Sequence, residues 1–108
     1  MIYHEKLIKK LCRTHLCVTW REGLWVYRVV TEKKKFYSGH PVVKEFWGDP
    51  MKLWKRLFKI RLELIRRGCR ATDMPPLQAS PKKRNTFEYL TLQEQIILLK
   101  NKTCQCVV

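Results

Sequence analysis

Long hydrophobic runs are missing from this chain. The longest uninterrupted apolar stretch is a few residues, far below the ~20 that span a bilayer, which excludes a transmembrane segment. A secretory leader is not expected either, because His4, Glu5, Lys6, Lys9 and Lys10 interrupt the region where its apolar core would lie. The five cysteines contain no Cys-x-x-Cys pair and their number is odd. A paired zinc motif and a disulfide framework are therefore both unsupported; free, mostly buried thiols in a reducing compartment are the expectation, with no metal and no cofactor. The ending Cys104-Gln105-Cys106-Val107-Val108 is not a prenylation signal, since the fourth residue from the end is Gln105. No internal repeat is visible. Acidic residues are scarce: 9 Asp and Glu against 23 Lys and Arg leave a net charge of +14. That balance favours a polyanionic partner, nucleic acid or an anionic membrane surface, over an acidic protein.

What is present is an ordinary globular composition. With 108 residues, 45% apolar and 30% charged, the chain fits one compact domain spanning 1–108. Leu7, Ile8, Leu11, Cys12, Leu16, Val18, Trp20, Leu24, Val26, Tyr27 and Val30 recur at helical spacing. A break near Thr14 would divide them into a short helix and a longer central one, apolar on nearly every side. Lys33-Lys34-Lys35-Phe36-Tyr37-Ser38-Gly39-His40-Pro41 reads as a basic loop with an aromatic pair. Asp49-Pro50 starts a second helix by capping, with Leu53, Trp54, Leu57, Phe58, Ile60, Leu64 and Ile65 on its core face and Gly68 as its stop. Lys52, Lys55, Arg56, Lys59, Arg66 and Arg67 occupy its other face. Three prolines and Lys82-Lys83-Arg84 make residues 72–86 a basic, mobile linker. Thr91-Leu92-Gln93-Glu94 is a capping box that opens a third helix over 91–102, followed by a short tail, 103–108. The predicted fold is all-α, a compact single-domain bundle of three to four helices around a central helix, with basic loops.

Glu22 is the candidate for chemistry. Its helix face carries His15, Val18, Thr19, Trp25, Val26 and Val29, so burial disfavours its charge while Arg21 and the positive field favour it. That conflict is typical of a general acid or an electrostatic stabiliser; a plain salt bridge to a lysine across the bundle is the alternative.

The stretch His15-Leu16-Cys17-Val18-Thr19-Trp20-Arg21-Glu22-Gly23-Leu24 resembles the pyrimidine-dimer DNA glycosylases and abasic-site lyases of the phage endonuclease V type. In that family His, five residues, then Arg-Glu sit on the central helix. The similarity continues through Gly39-His40-Pro41, Phe46, Arg66-Arg67-Gly68 and Leu90-Thr91-Leu92-Gln93, covering residues 1 to about 100. The resemblance implies a cofactor-independent repair enzyme whose nucleophile is the α-amine of the first residue. Ile2 is bulky, so Met1 is expected to be retained. An α-amine titrates lower than lysine and carries more of the neutral, nucleophilic form at physiological pH. The implied catalytic pair is Met1 and Glu22, attacking sugar C1′ to form an imine and then permitting β-elimination.

By the same resemblance Arg21 and His15 contact the DNA backbone, although Arg21 could instead partner Glu22 and His15 could be a satisfied core histidine. His40, Lys33, Lys34, Lys35, Lys52, Lys55, Lys59, Lys82, Lys83 and Arg84 are candidate DNA contacts, set against the reading of a merely solvated charged face. The chain departs from the phage pattern at Ile2 and Trp25, where arginines stand there, and has no aromatic tail after Thr103. Expected partners are damaged duplex DNA alone, with no membrane and no obligate protein, for an intracellular monomer. A non-catalytic basic DNA-binding or architectural protein is the second reading. An RNA or membrane-surface binder is the third, poorly supported because no clean amphipathic basic helix is visible.

Overall fold

The structure, a computed structural model, describes residues 1–80, 84–102 and 104–107. The regular elements are all helices, with no strand among the described residues. A 3₁₀ helix, Glu5–Lys10, precedes the central helix α1, Arg13–Thr31; a second 3₁₀ turn, Lys35–Tyr37, leads to α2, Pro41–Phe46; α3 is Pro50–Arg66 and α4 is Leu92–Lys100. The Cα radius of gyration is 13.7 Å, close to the ~13 Å of a compact chain of about 100 residues.

The core is built where α1 crosses α3. Leu16, Trp20, Val26, Val29 and Val30 of α1 are buried against Leu53, Leu57, Ile60 and Leu64 of α3. Gly23 lets the two helices meet, because a Cβ there would stand 2.6 Å from Leu57 Cδ2, and Leu57 is fully buried with no room to yield. Val42, Val43 and Phe46 of α2 close one side, and Ile2, Tyr3, Leu7, Ile8 and Leu11 close another.

Capping residues mark the helix boundaries. Asp49 accepts from the Lys52 amide and Pro50 stands in the first turn of α3, while Gly68 at φ +75° ends it, its amide reaching the Ile65 carbonyl. The Thr91–Glu94 capping box is formed at α4. The N-terminal break falls at Leu11–Cys12 rather than at Thr14, since Leu11 is extended and α1 begins at Arg13. The expected basic loop holds the 3₁₀ turn, and the unforeseen α2 begins at its last residue, Pro41. Pro41 excludes helix before it yet suits the first helical position, and six residues are too few to show a period.

Among the described residues between α3 and α4 there is no helix, and several of them are hydrogen-bonded to the helices. Trp54 Nε1 donates to the Pro75 carbonyl (2.9 Å), Tyr27 donates to that of Pro76 (2.6 Å), and Arg61 to that of Thr72 (2.9 Å). Asp49 ties the far end: it accepts from the Ser80 hydroxyl and from the Asn85 amide (3.1 Å). Burial opposes the charge of Asp49, but these bonds and the Lys52 amide outweigh it and hold its carboxyl below the usual range.

Glu63 is the most strongly held carboxylate, 3% exposed and bonded to Arg66 (2.6 Å) and Arg67 (2.6 Å). The Arg66 hydrogen bond is the largest influence; burial opposes it and Arg67 adds to it, so Glu63 falls from 4.5 to about 2. Because the folded value lies below the unfolded one, the stabilisation is complete above about 4.5 and is lost as pH falls through about 2. Glu63→Gln should destabilise the neutral protein by ~1–3 kcal/mol. In urea titrations across pH, the gap between the two proteins should close over that window; a gap that stays constant to the acid limit would refute the assignment.

Candidate active site

The chain's first residue is bound from several sides. Ile2 and Tyr3 are buried in the core and draw the N-terminal segment across α1. The Thr19 hydroxyl donates to the Met1 carbonyl (3.1 Å), and the Met1 α-amine donates to Glu22 Oε2. Thr19 and Glu22 are one helical turn apart, so one face of α1 holds both ends of the first residue. Further along, the His4 amide donates to Gln95 Oε1 (2.7 Å), and the buried Gln95 returns a bond to the Leu90 carbonyl (3.0 Å). Arg67 donates to the carbonyls of Leu11 (2.7 Å) and Lys9 (3.1 Å). These anchors come from α1, α3 and α4 together. The side chains of Met1 and Glu22 remain 18% and 25% exposed, so the pair is neither fully buried nor open on all sides.

Arg21, beside Glu22, is exposed on the rim of an open groove of about 530 Å³ shared with Cys17, Trp20, Leu24, Leu64, Arg70, Ala71 and Thr72. One turn beyond Glu22, Trp25 begins an aromatic wall. Tyr37 meets it edge-on at 5.5 Å, His40 at 6.3 Å, and Phe36 abuts Tyr37 at 5.2 Å. Phe36 is 91% exposed, a large apolar ring standing in water.

The basic candidates separate by environment. Lys33 takes a positive φ of 53° at the end of α1 and, with Lys35, lines a groove of about 570 Å³; Lys34 pairs with Glu32 at 3.1 Å. Lys55 and Arg84 are exposed, and Lys59 pairs with Glu5 at 2.5 Å. Lys52 is differently engaged from the open face expected of it. Its ammonium donates to the carbonyls of Glu45 (3.2 Å), Asn85 (3.1 Å) and Phe87 (3.3 Å), which uses all three of its protons. Burial, chiefly, pushes its pKa down. Lys82 and Lys83 lie outside the described residues.

His15 faces thiols. Its Nδ1 lies 3.2 Å from Cys12 Sγ and 3.1 Å from Cys106 Sγ, and its ring meets Tyr3 edge-on. Burial, then the charge of Lys102, lowers its pKa. Cys12, His15, Cys104 and Cys106 bring four ligand atoms within 4.8 Å of one another. Sequence alone, without a Cys-x-x-Cys pair, offers Cys104 and Cys106 as neighbours with Cys12 available, but does not point to His15, one turn from Cys12 at the opposite end of the chain. It also missed Thr19, Gln95 and Arg67 as anchors of the N-terminus, whose bonds go to backbone atoms that leave no pattern in sequence.

The site of this small all-α protein is thus the Met1 amine bonded to a carboxylate on the central helix, with basic and aromatic groups beside it. The chain belongs to the pyrimidine dimer DNA glycosylase family, whose profile matches residues 1–75. It is thus a DNA repair protein of the glycosylase class. No curated protein and no solved structure matches it. No described helix is long and apolar enough to cross a membrane.

Proposed function

We propose that this chain is a DNA glycosylase with abasic-site lyase activity, acting on ultraviolet pyrimidine dimers in duplex DNA through the Met1 amine and Glu22. The observation that carries the reading is the bond from the Met1 amine to the Glu22 carboxylate. Glu22 takes a proton from the amine, whose freed lone pair attacks sugar C1′. The bond from C1′ to the pyrimidine nitrogen breaks, and the base leaves with the electron pair and takes up a proton. The sugar ring then opens as the amine nitrogen forms an imine with C1′, and O4′ receives a proton, for which protonated Glu22 is the donor at hand. Removal of a C2′ proton, with Glu22 again as base, expels the 3′ phosphate by β-elimination. The Glu22 carboxylate also stabilises the positive charge that develops on the sugar.

Arg21 is proposed to hold a phosphate beside the lesion, with Lys33, Lys35, Lys55 and Arg84 contributing to binding by counterion release. Reaching C1′ requires the duplex to be opened, and a poorly stacked lesion costs less to open. Phe36, Tyr37 and Trp25 supply a stacking surface for this, at the side of the site where the phage pattern carries an arginine in place of Trp25. Phe36→Ala should weaken affinity for an irradiated duplex by ~1–3 kcal/mol, the worth of one base–aromatic stack, with little change on undamaged duplex. Equal affinities of the variant and the parent for irradiated DNA in fluorescence anisotropy would remove Phe36 from the lesion site.

Borohydride trapping tests the whole reading. Untagged protein should form a reducible covalent adduct with irradiated duplex and with an abasic duplex, and none with undamaged DNA. An adduct confined to the abasic duplex would overturn the dimer specificity. No adduct on either would leave a basic DNA-binding protein.

A further inference from the structure

We propose that Cys12, His15, Cys104 and Cys106 form a zinc site that fastens the C-terminal tail to the start of α1. Their four ligand atoms lie within 4.8 Å of one another, and all four residues are half-buried. A tetrahedral zinc with sulfur at ~2.3 Å and nitrogen at ~2.0–2.1 Å sets its ligands ~3.5–3.8 Å apart. The contacts of His15 Nδ1 with Cys12 Sγ (3.2 Å) and Cys106 Sγ (3.1 Å) need to open by only a few tenths of an ångström to reach that spacing. Three sulfurs and an imidazole form a soft donor set that suits zinc and disfavours magnesium or calcium. Four protein ligands also complete the coordination, which makes the site structural and leaves no open position for chemistry.

The surroundings are those of a built site. Cys12 occupies the N-cap of α1 but makes no capping bond with its side chain, so the thiol turns to His15 one turn along the same face. The Cys12 amide donates to Cys106 Sγ at 3.0 Å, the kind of N–H to sulfur bond that orients a thiolate ligand. The Val107 amide donates to the Lys10 carbonyl at 2.8 Å, pinning the tail beyond the last ligand. A disulfide would join two of these sulfurs and leave the third and the imidazole unexplained. Two of the ligands lie beyond residue 75, outside the part of the chain that the family profile matches, so the site is a feature of this chain's own tail. Through Tyr3, which packs on His15, the metal also supports the segment that carries Met1.

The test uses untagged full-length protein purified with reductant, since an affinity tag of histidines would bind metal itself. Elemental analysis should give one zinc per chain. Cobalt exchanged for zinc should show thiolate-to-metal charge transfer and the intense visible bands of a tetrahedral ion. The double variant Cys104→Ser, Cys106→Ser should lose both signals, whereas Cys17→Ser, whose thiol is outside the cluster, should keep them. Chelation should lower the melting temperature of the parent protein and leave that of a folded double variant unmoved. If the double variant does not fold, the stoichiometry and the cobalt spectrum of the parent still decide. A folded, reduced parent that carries no zinc and takes up no tetrahedral cobalt would overturn the site, as would equal metal loss in Cys17→Ser. The outcome is independent of whether the glycosylase mechanism holds.

Discussion

Glu22→Gln should yield a folded protein that cleaves irradiated duplex ~10²–10⁴-fold more slowly, the usual worth of a positioned acid or base. That range is ~2.7–5.4 kcal/mol of barrier, with each tenfold step worth about 1.36 kcal/mol. Glutamine has the same length and keeps an oxygen that can accept from the Met1 amine, so the anchoring bond survives the substitution. What it cannot do is take the proton or place a negative charge beside the sugar. The ion pair itself is partly exposed, and its loss should change stability by no more than ~1 kcal/mol. Single-turnover cleavage, thermal denaturation and binding to undamaged duplex, measured side by side, separate these roles. Cleavage within a few-fold of the parent would reduce Glu22 to a tether for the first residue.

The features that were legible in sequence are local. Asp49-Pro50, Gly68 and Thr91 with Glu94 announce helix ends because a cap satisfies backbone groups within a turn of itself. The α1–α3 pairing follows from two broad apolar faces. Periodicity is silent about α2, a single turn and a half whose Val42, Val43 and Phe46 could equally be strand or loop. It also misjudged Lys52, which shares a helix face with truly exposed lysines but is covered by the carbonyls of Asn85 and Phe87, more than thirty residues away in sequence. The tethers of the proline segment are hidden for a related reason. Composition reports that the segment resists helix, whereas its hydrogen bonds go to Tyr27, Trp54 and Asp49 in three other places.

The Met1–Glu22 pair was reached in sequence only through family resemblance, because nothing in a linear pattern brings residue 1 to residue 22. Of the cysteine cluster, Cys104, Cys106 and Cys12 are visible in sequence as candidates, but their meeting with His15 is not. A spacing rule sees ligands that fold locally, and here two ligands sit at the start of α1 and two at the far end of the chain. The same topology explains both cases. The N-terminal segment and the C-terminal tail converge on the first half of α1, and the tail's Val107 bonds Lys10 while Tyr3 lies against His15.

A peptide extension ahead of Met1 should have the larger effect on catalysis, abolishing both the borohydride adduct and strand cleavage. It converts the α-amine into an amide, whose nitrogen lone pair is delocalised into the carbonyl and no longer attacks carbon. A nucleophile held in place can contribute up to ~7–11 kcal/mol through proximity alone, and this contribution disappears outright instead of being weakened. The extension must also leave past Glu22, where the Met1 carbonyl is held by Thr19 and Ile2 is already buried, so some local distortion accompanies it. A cleavable extension resolves the two effects. Made so that a protease regenerates Met1 as the first residue, it should restore trapping and cleavage on the same sample. Binding to undamaged duplex, which the proposal assigns to lysines and arginines elsewhere, should change little throughout. Trapping that persists with the extension in place would transfer the nucleophile to a lysine and dismiss the terminal amine, whatever Glu22 contributes.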